Sequence, residues 1–537
     1  MQTVYYGGSI LTMEGEDMYV EALLVEGGVI RKRGSLDSIN DVVDGPVEYV
    51  NLEGQTLMPS FIDPHSHAFY VGPVSQMADL SECESFENVV ETLQAYIKEN
   101  SLSTDDTVIG FGYDPTVMKE GLHPTKEVLD RVSSNPIFVM HASAHMGCAN
   151  QAALDIAGIG ASTEELEGGT IGRVEGSMEP NGYLEETNMM VMQQALTNGN
   201  NMGQIAMSTF EDGQHLYIRN GITTVQDGAS TKDTIQLGKA LASAGELEVD
   251  VVAYPLMDDN SRELVKENKE YVNQYHNRYK IGGYKTFLDG TPQGKTAWLS
   301  EPYEGEDSYC GIAWYKDEVV EGQALEAVKD GMQLLTHCNG DRAADQLLNS
   351  YEKAVVDTGV TEDLRPVMIH CQTTREDQLD RMAELSMIPS IFVDHTYYWG
   401  DVHVKNLGKE RGERISPART AFDKGLVVNF HQDAPVVKPN MLQTIWSAVN
   451  RVSRTGAIIG ESERVTVYEA LKAVTINAAY MYKEEGLKGT LEEGKLADLV
   501  ILNQNPLKVN PMSIKDITVT QTIKEGKTLY KVGQGDR

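Results

Sequence analysis

Apolar, β-prone runs separated by stretches of helical spacing dominate the middle of the chain. Eight of them read as core strands, near Thr56–His65, Ile222–Gln226, Val249–Pro255, Lys280–Phe287, Gln333–His337, Pro366–His370, Ile388–Phe392 and Leu426–His431. Strands buried on both faces read as near-continuous apolar runs, and their alternation with helices argues for a parallel sheet. Eight such units predict an α/β protein built on a (β/α)8 TIM-like barrel. The two ends have a different texture. Val4–Tyr6, Ala22–Val25, Val29–Ile30 and Val47–Val50 at the start are short strands between Gly and Asp turns. Asp498–Leu502, Ile517–Thr520 and Thr528–Lys531 at the finish repeat that texture. Residues 1–56 and 480–537 are therefore expected to form one small β-sandwich built from both termini, and residues 57–479 the barrel.

Between the first two predicted strands the chain runs from about residue 70 to residue 215, far beyond an ordinary crossover. This stretch has strand-like runs of its own at Thr107–Tyr113 and Ile137–His141, and helical ones at Phe86–Lys98 and Met189–Leu196. It reads as a large insert after strand one, placed over the barrel mouth.

Composition narrows the partners. The 537 residues carry a formal net charge of −35. That charge argues against nucleic acid and against an anionic membrane surface, since both need a basic face. Residues Met1–Ile10 lack the basic and apolar regions of a signal peptide. No stretch approaches the roughly 18 apolar residues that span a bilayer. Five cysteines without a Cys-x-x-Cys fit reduced thiols in a cytoplasm better than a disulfide framework.

Chemistry is concentrated at the predicted strand ends. Asp63-Pro64-His65-Ser66-His67, His337, His370 and His431-Gln432-Asp433 each close an apolar run. In a barrel, strand ends far apart in sequence become neighbours at one mouth, where active sites lie. Imidazoles with a carboxylate suit one or two divalent ions, zinc above others, with room left for water. His65 and His67 are spaced i, i+2, which puts both on one side of an extended strand end. His337 and His370 end successive strands. Lys285 lies inside predicted strand four, where an unpaired charge is costly. Cys338 and Cys371 directly follow two of the histidines and are expected to face away from them. Asp289 reads either as a substrate contact or as a helix cap. His395, Tyr397, Tyr398 and Trp399 read as an aromatic wall or a packed loop.

Together these residues resemble the amidohydrolase superfamily, in the branch containing N-substituted formamide deformylase. The resemblance is carried by Met58–His67, by Gly221–Asp227, by Lys285–Gly290, by His337 and His370, by Gln432–Pro435 and by Gly494–Val500. It implies a metal-dependent hydrolase of a C–N bond in a small-molecule amide or N-substituted formamide. His65, His67, Lys285, His337, His370 and Asp433 are the implied ligand set, with Lys285 carbamylated so that it bridges two ions. Asp433 is the implied general base, and His145 the group that contacts substrate or stabilises an oxyanion. Cyclic-amide, ester or heterocycle-deaminating chemistry stays open, and so does a metal-free scaffold or binding role. A homo-oligomer stays open as well. Gln432 departs from the pattern, which often has Ser before the aspartate.

Overall fold

The computed structural model describes residues 2–142, 146–166, 169–197, 202–258 and 260–533. The chain divides into two compact units. One comprises Met1–Ala68, Gln214–Ala434 and Lys438–Arg537; the other comprises Phe69–Gly213 and Pro435–Val437.

In the first unit, the two chain ends share one eight-stranded sheet rather than the expected pair of packed sheets. The seam is the antiparallel pairing of Thr56–Pro59 with Leu499–Leu502, register Met58 to Val500. Leu57, Leu499, Ile501 and Ile523 are buried in the core on this sheet.

The parallel strands of this unit fall into two sheets. One holds Phe61–Ile62, Ile222–Ser230, Asp250–Pro255 and Tyr279–Ile281. The other holds Gly283–Phe287, Gln333–Cys338, Val367–His370, Ile388–Ile391 and Asn429–Phe430. Two expected strands are therefore each two pieces. Predicted strand one leaves the terminal sheet at Pro59 and enters the parallel sheet at Phe61, where Phe61 N–H donates to Gly221 O at 2.9 Å. Predicted strand four breaks at Gly282, where a Cβ would stand 2.6 Å from the Tyr254 ring. The two sheets meet there through a single parallel bridge between Leu256 and Lys285.

Among the described residues, the hydrogen-bonded ladder does not close into a barrel. Between its first and last strands the partners come from elsewhere: Ile62 N–H donates to Val474 O at 2.9 Å, and Asn477 Nδ2 donates to Val428 O at 2.8 Å. The segment around Val474–Asn477 thus takes the hydrogen bonds that closure needs.

The second unit is built on a six-stranded mixed sheet. Its order is Gly169–Arg173, Pro180–Glu185, Met146–Ala149, Ile137–His141, Val108–Tyr113 and Ala78–Asp79. Helix Phe86–Glu99 is capped by Ser85, whose side chain accepts from Asn88 N–H. It buries Val89, Val90 and Leu93 against Leu80, Val108 and Val139. Among the described residues, no helix is long and apolar enough to cross a membrane.

Candidate metal centre

Side chains from the ends of both parallel sheets converge in the first unit. His65 and His67 lie just past Phe61–Ile62, in a loop rather than a strand. Their Nε2 atoms stand 3.3 and 3.2 Å from one oxygen, Asp433 Oδ1. Both rings reach one point, although the extended strand end expected to place them is a loop. Lys285 Nζ lies 3.3 Å from His65 Nε2. His370 Nε2 faces His337 Nδ1 at 2.9 Å, and His370 Nδ1 faces His431 Nε2 at 3.2 Å. One donor atom each from His65, His370 and Asp433 lie within 4.8 Å of one another.

Three of the rings are held from behind. Gln226 Oε1 takes His65 Nδ1 at 2.5 Å, while Gln226 Nε2 donates to Pro64 O. Gly228 O takes His67 Nδ1 at 2.8 Å. Ser390 Oγ lies 2.9 Å from His431 Nδ1. Such outer contacts fix ring orientation and tautomer. The backbone is held as tightly. His370, Cys371 and Asp433 have φ of 79°, 51° and 55°. Non-glycine residues in this left-handed region cost on the order of 1–3 kcal/mol each, strain that concentrates at functional sites.

Burial sets the charge states. It holds the His65 and His370 imidazoles well below their ordinary range and pushes His431 down to about 3. Neutral imidazoles offer the lone pairs that a cation needs. Burial also lowers Lys285 to about 7, with Asp433 pulling the other way. Burial works against ionised Asp433, yet the His67 hydrogen bond and the surrounding imidazoles hold it well below the usual carboxylate range. His67 is raised, because Asp433 outweighs its burial.

The donor set fits a cation. Ligand atoms about 2.0–2.2 Å from one ion stand up to roughly 4.4 Å apart, close to the spread seen here. Lys285 is fully buried, and among the described residues no carboxylate stands within ion-pairing distance of its Nζ.

Other expected site residues sit as follows. Asp289 is fully buried, and its carboxylate accepts the backbone N–H groups of Trp298, Asn339 and Gly340 at 2.9, 3.0 and 2.7 Å. It pins the loops beside His337, 3.9 Å away. Burial raises it to about 7 despite those three donors. Cys338 and Cys371 are buried, with Sγ atoms turned to Gly340 O and Met368 O. His395 is buried with its Nδ1 3.1 Å from His403 Nε2, and its ring packs on Phe392 at 4.7 Å. His145 lies outside the described residues.

His431 and Gln226 were not among the expected site residues. His431 has a legible signal: it stands two before Asp433, the same spacing as His65 and His67. Gln226 has none, because only the fold brings it behind His65.

The chain matches the amidohydrolase family over residues 48–530. It belongs to that family. It is 27% identical to the protein YtcJ of Bacillus subtilis (strain 168), over 99% of this chain and 100% of that one. It is 26% identical to N-substituted formamide deformylase of Arthrobacter pascens, over 97% of each chain. Among solved structures, an uncharacterised metal-dependent hydrolase from Pyrococcus horikoshii OT3 shares the fold. Its TM-score is 0.76 at 22% identity, over 95% of this amidohydrolase and 99% of that chain.

Proposed function

We propose that this amidohydrolase is a metal-dependent hydrolase that cleaves a C–N bond, in an amide or N-substituted formamide. The observation that carries the reading is the gathering of His65, His370 and Asp433 donor atoms within 4.8 Å, beside a fully buried Lys285. His65, His67, His337 and His370 are assigned as imidazole ligands, with Asp433 and carbamylated Lys285 as the oxygen donors. His431 joins them as a ligand or as the group orienting His370. The set suits one or two divalent ions, zinc above others. Such an ion supplies a water of lowered pKa and a polarised carbonyl.

The chain's own residues do the rest. Asp433 Oδ1 takes the proton from the attacking water and hands it to the departing nitrogen. The Nε2 atoms of His65 and His67 lie within 3.3 Å of that oxygen, so all three atoms would face one bound cation. Carbamylation of Lys285 replaces a buried cation with a carboxylate, which removes the cost of an unpaired ammonium. His145 keeps the substrate-contacting role that the resemblance implies. Asp289, with both oxygens already engaged, is assigned to positioning His337 rather than to touching substrate. Residues 1–56 with 480–537 are assigned as a composite β domain and 57–479 as the catalytic body, in a reducing cytoplasmic setting that fits five free cysteines.

The test pairs elemental analysis of purified protein with a substrate panel. Expected are one or two divalent ions per chain and turnover of an N-formyl or N-acyl amide. Turnover confined to esters, cyclic amides or amino-heterocycles moves the assignment to those chemistries. Absence of both metal and metal-stimulated turnover removes the enzyme reading and leaves a scaffold.

A further inference from the structure

His370 is held differently from its neighbours. His65, His67 and His431 each turn Nδ1 to a group behind the ring. Both nitrogens of His370 instead face imidazoles of the centre itself, His337 at 2.9 Å and His431 at 3.2 Å. The direction of this ring therefore has to come from its backbone. That backbone is strained: His370 has φ 79°, and Cys371 beside it has φ 51°. Successive left-handed residues other than glycine persist only where the surroundings over-determine them.

Those surroundings are a chain of buried polar groups. Gln372 is fully buried, and its Nε2 donates to His370 O at 3.1 Å and to Phe392 O at 3.0 Å. One amide thus ties the ends of the paired strands Val367–His370 and Ile388–Ile391. The amide is itself oriented from the far side. Ser416 Oγ donates to Gln372 Oε1 at 2.7 Å, and Ser416 N–H donates to Gln372 O at 2.8 Å. Two carbonyls at one end and a hydroxyl at the other engage both halves of the amide. Behind Ser416 stands Arg451, fully buried as well. Its guanidinium donates to Ser416 O at 3.0 Å, Ile415 O at 2.6 Å and Ile459 O at 2.6 Å. A guanidinium is a rigid fork of donors, so these carbonyls fix the loop that carries Ser416.

We propose that Gln372 is a positioning residue that sets the His370 imidazole for a bound cation, with Ser416 and Arg451 holding Gln372 in turn. Its amide acts through the His370 carbonyl. This inference rests on the reading of the centre as a metal site.

The test needs no substrate. Zn²⁺ affinity of the full chain is measured by competition with a chromophoric chelator, and the visible spectrum is recorded with saturating Co²⁺. Gln372→Met keeps the reach of the side chain without its hydrogen bonds. It should weaken Zn²⁺ binding about 10- to 100-fold, the range for groups that orient ligands, and should alter the Co²⁺ spectrum. Ser416→Ala should weaken binding about 2- to 10-fold, the span of one hydrogen bond. The double variant should match Gln372→Met alone, because the Ser416 hydroxyl reaches His370 through Gln372. Asp250→Ala, which breaks the buried pairs with Lys488 and Lys524, controls for lost stability and should bind Zn²⁺ as wild type does. Affinity within about twofold of wild type in Gln372→Met overturns the positioning role, and so does an equal loss in Asp250→Ala. If Gln372→Met does not fold, Ser416→Ala decides by the same threshold. A wild type that takes up neither Zn²⁺ nor Co²⁺ overturns the metal reading, and this inference falls with it.

Discussion

The backbone N–H of Asp433 donates to the carbonyl of His65 at 3.0 Å, while Asp433 Oδ1 stands 3.3 Å from His65 Nε2. Backbone and side chain thus join the first and last segments of the parallel core at the candidate centre. His67 N–H adds a second backbone link, to Ala434 O at 2.7 Å. The ladder that does not close by strand pairing is stitched here, at the residues that bear the chemistry.

Asp433→Asn keeps the size of the side chain but removes its proton-accepting oxygen charge. Metal content is expected to stay near that of wild type, while kcat on any true substrate falls roughly 10²- to 10⁴-fold, the range of a positioned acid–base group. A variant within threefold of wild type, by steady-state kinetics with about that precision, removes Asp433 from the proton transfer.

Lys285→Ala should lose bound metal and most activity, because the buried oxygen donor proposed there is gone. Short carboxylic acids added with metal should restore part of it. Lys285→Arg should not, since a guanidinium is a fixed cation that takes up no CO₂. Intact mass under native, bicarbonate-containing conditions reads the modification itself. An unmodified amine in fully metal-loaded protein contradicts it.

Away from the centre, Asp250 ties the parallel core to the terminal sheet. Its Oδ2 accepts from Lys488 Nζ and Lys524 Nζ, both at 2.6 Å, and Arg278 reaches Oδ1 at 3.2 Å. Both lysines are buried, and their charges hold Asp250 well below the usual carboxylate range against its burial. Asp250→Ala leaves them short of a carboxylate and should cost about 3–5 kcal/mol. Urea unfolding measures this, and a loss below about 1 kcal/mol shows that the remaining acids compensate.

Asp394 supplies a pH signature. Burial raises its carboxyl from 3.8 to about 6, although Ser447 and Thr444 donate hydroxyls to it. The folded chain therefore binds this proton more tightly than the unfolded chain. Its stabilising contribution is full below pH 3.8 and is lost as pH rises through about 6. The size is roughly 3 kcal/mol at most. Asp394→Asn, compared with wild type by chemical denaturation from pH 4 to pH 7, should show a less negative slope of stability against pH. Parallel slopes contradict the assignment.

Much of this protein was legible in its sequence. Period and burial are local properties, so the strands Gln333–Cys338, Val367–His370 and Ile388–Ile391 stand within a residue or two of where apolar runs placed them. In the insert, Ile137–His141 falls on its expected bounds, and Phe86–Glu99 runs one residue longer than expected. His65, His67, Lys285, His337, His370 and Asp433, expected from the sequence, stand side by side in the structure. A lysine buried inside a strand is costly unless paired or modified, and that cost marks Lys285 in the sequence.

Only the tertiary structure decided the rest, because it depends on which partners compete for the same hydrogen bonds. The run Thr56–His65 looks like one strand. Yet Pro59 ends its pairing with Leu499 in the terminal sheet, and Phe61 begins pairing on Ile222 in the parallel sheet. The same competition, at Gly282 and around Val474–Asn477, divides the expected barrel into two sheets. Asp289 reads in sequence as a substrate contact or a cap, and becomes a loop anchor once three amides from two loops reach it. Gln226 enters the site for the same reason: its partner His65 lies on a segment remote in sequence, and no local pattern encodes that meeting.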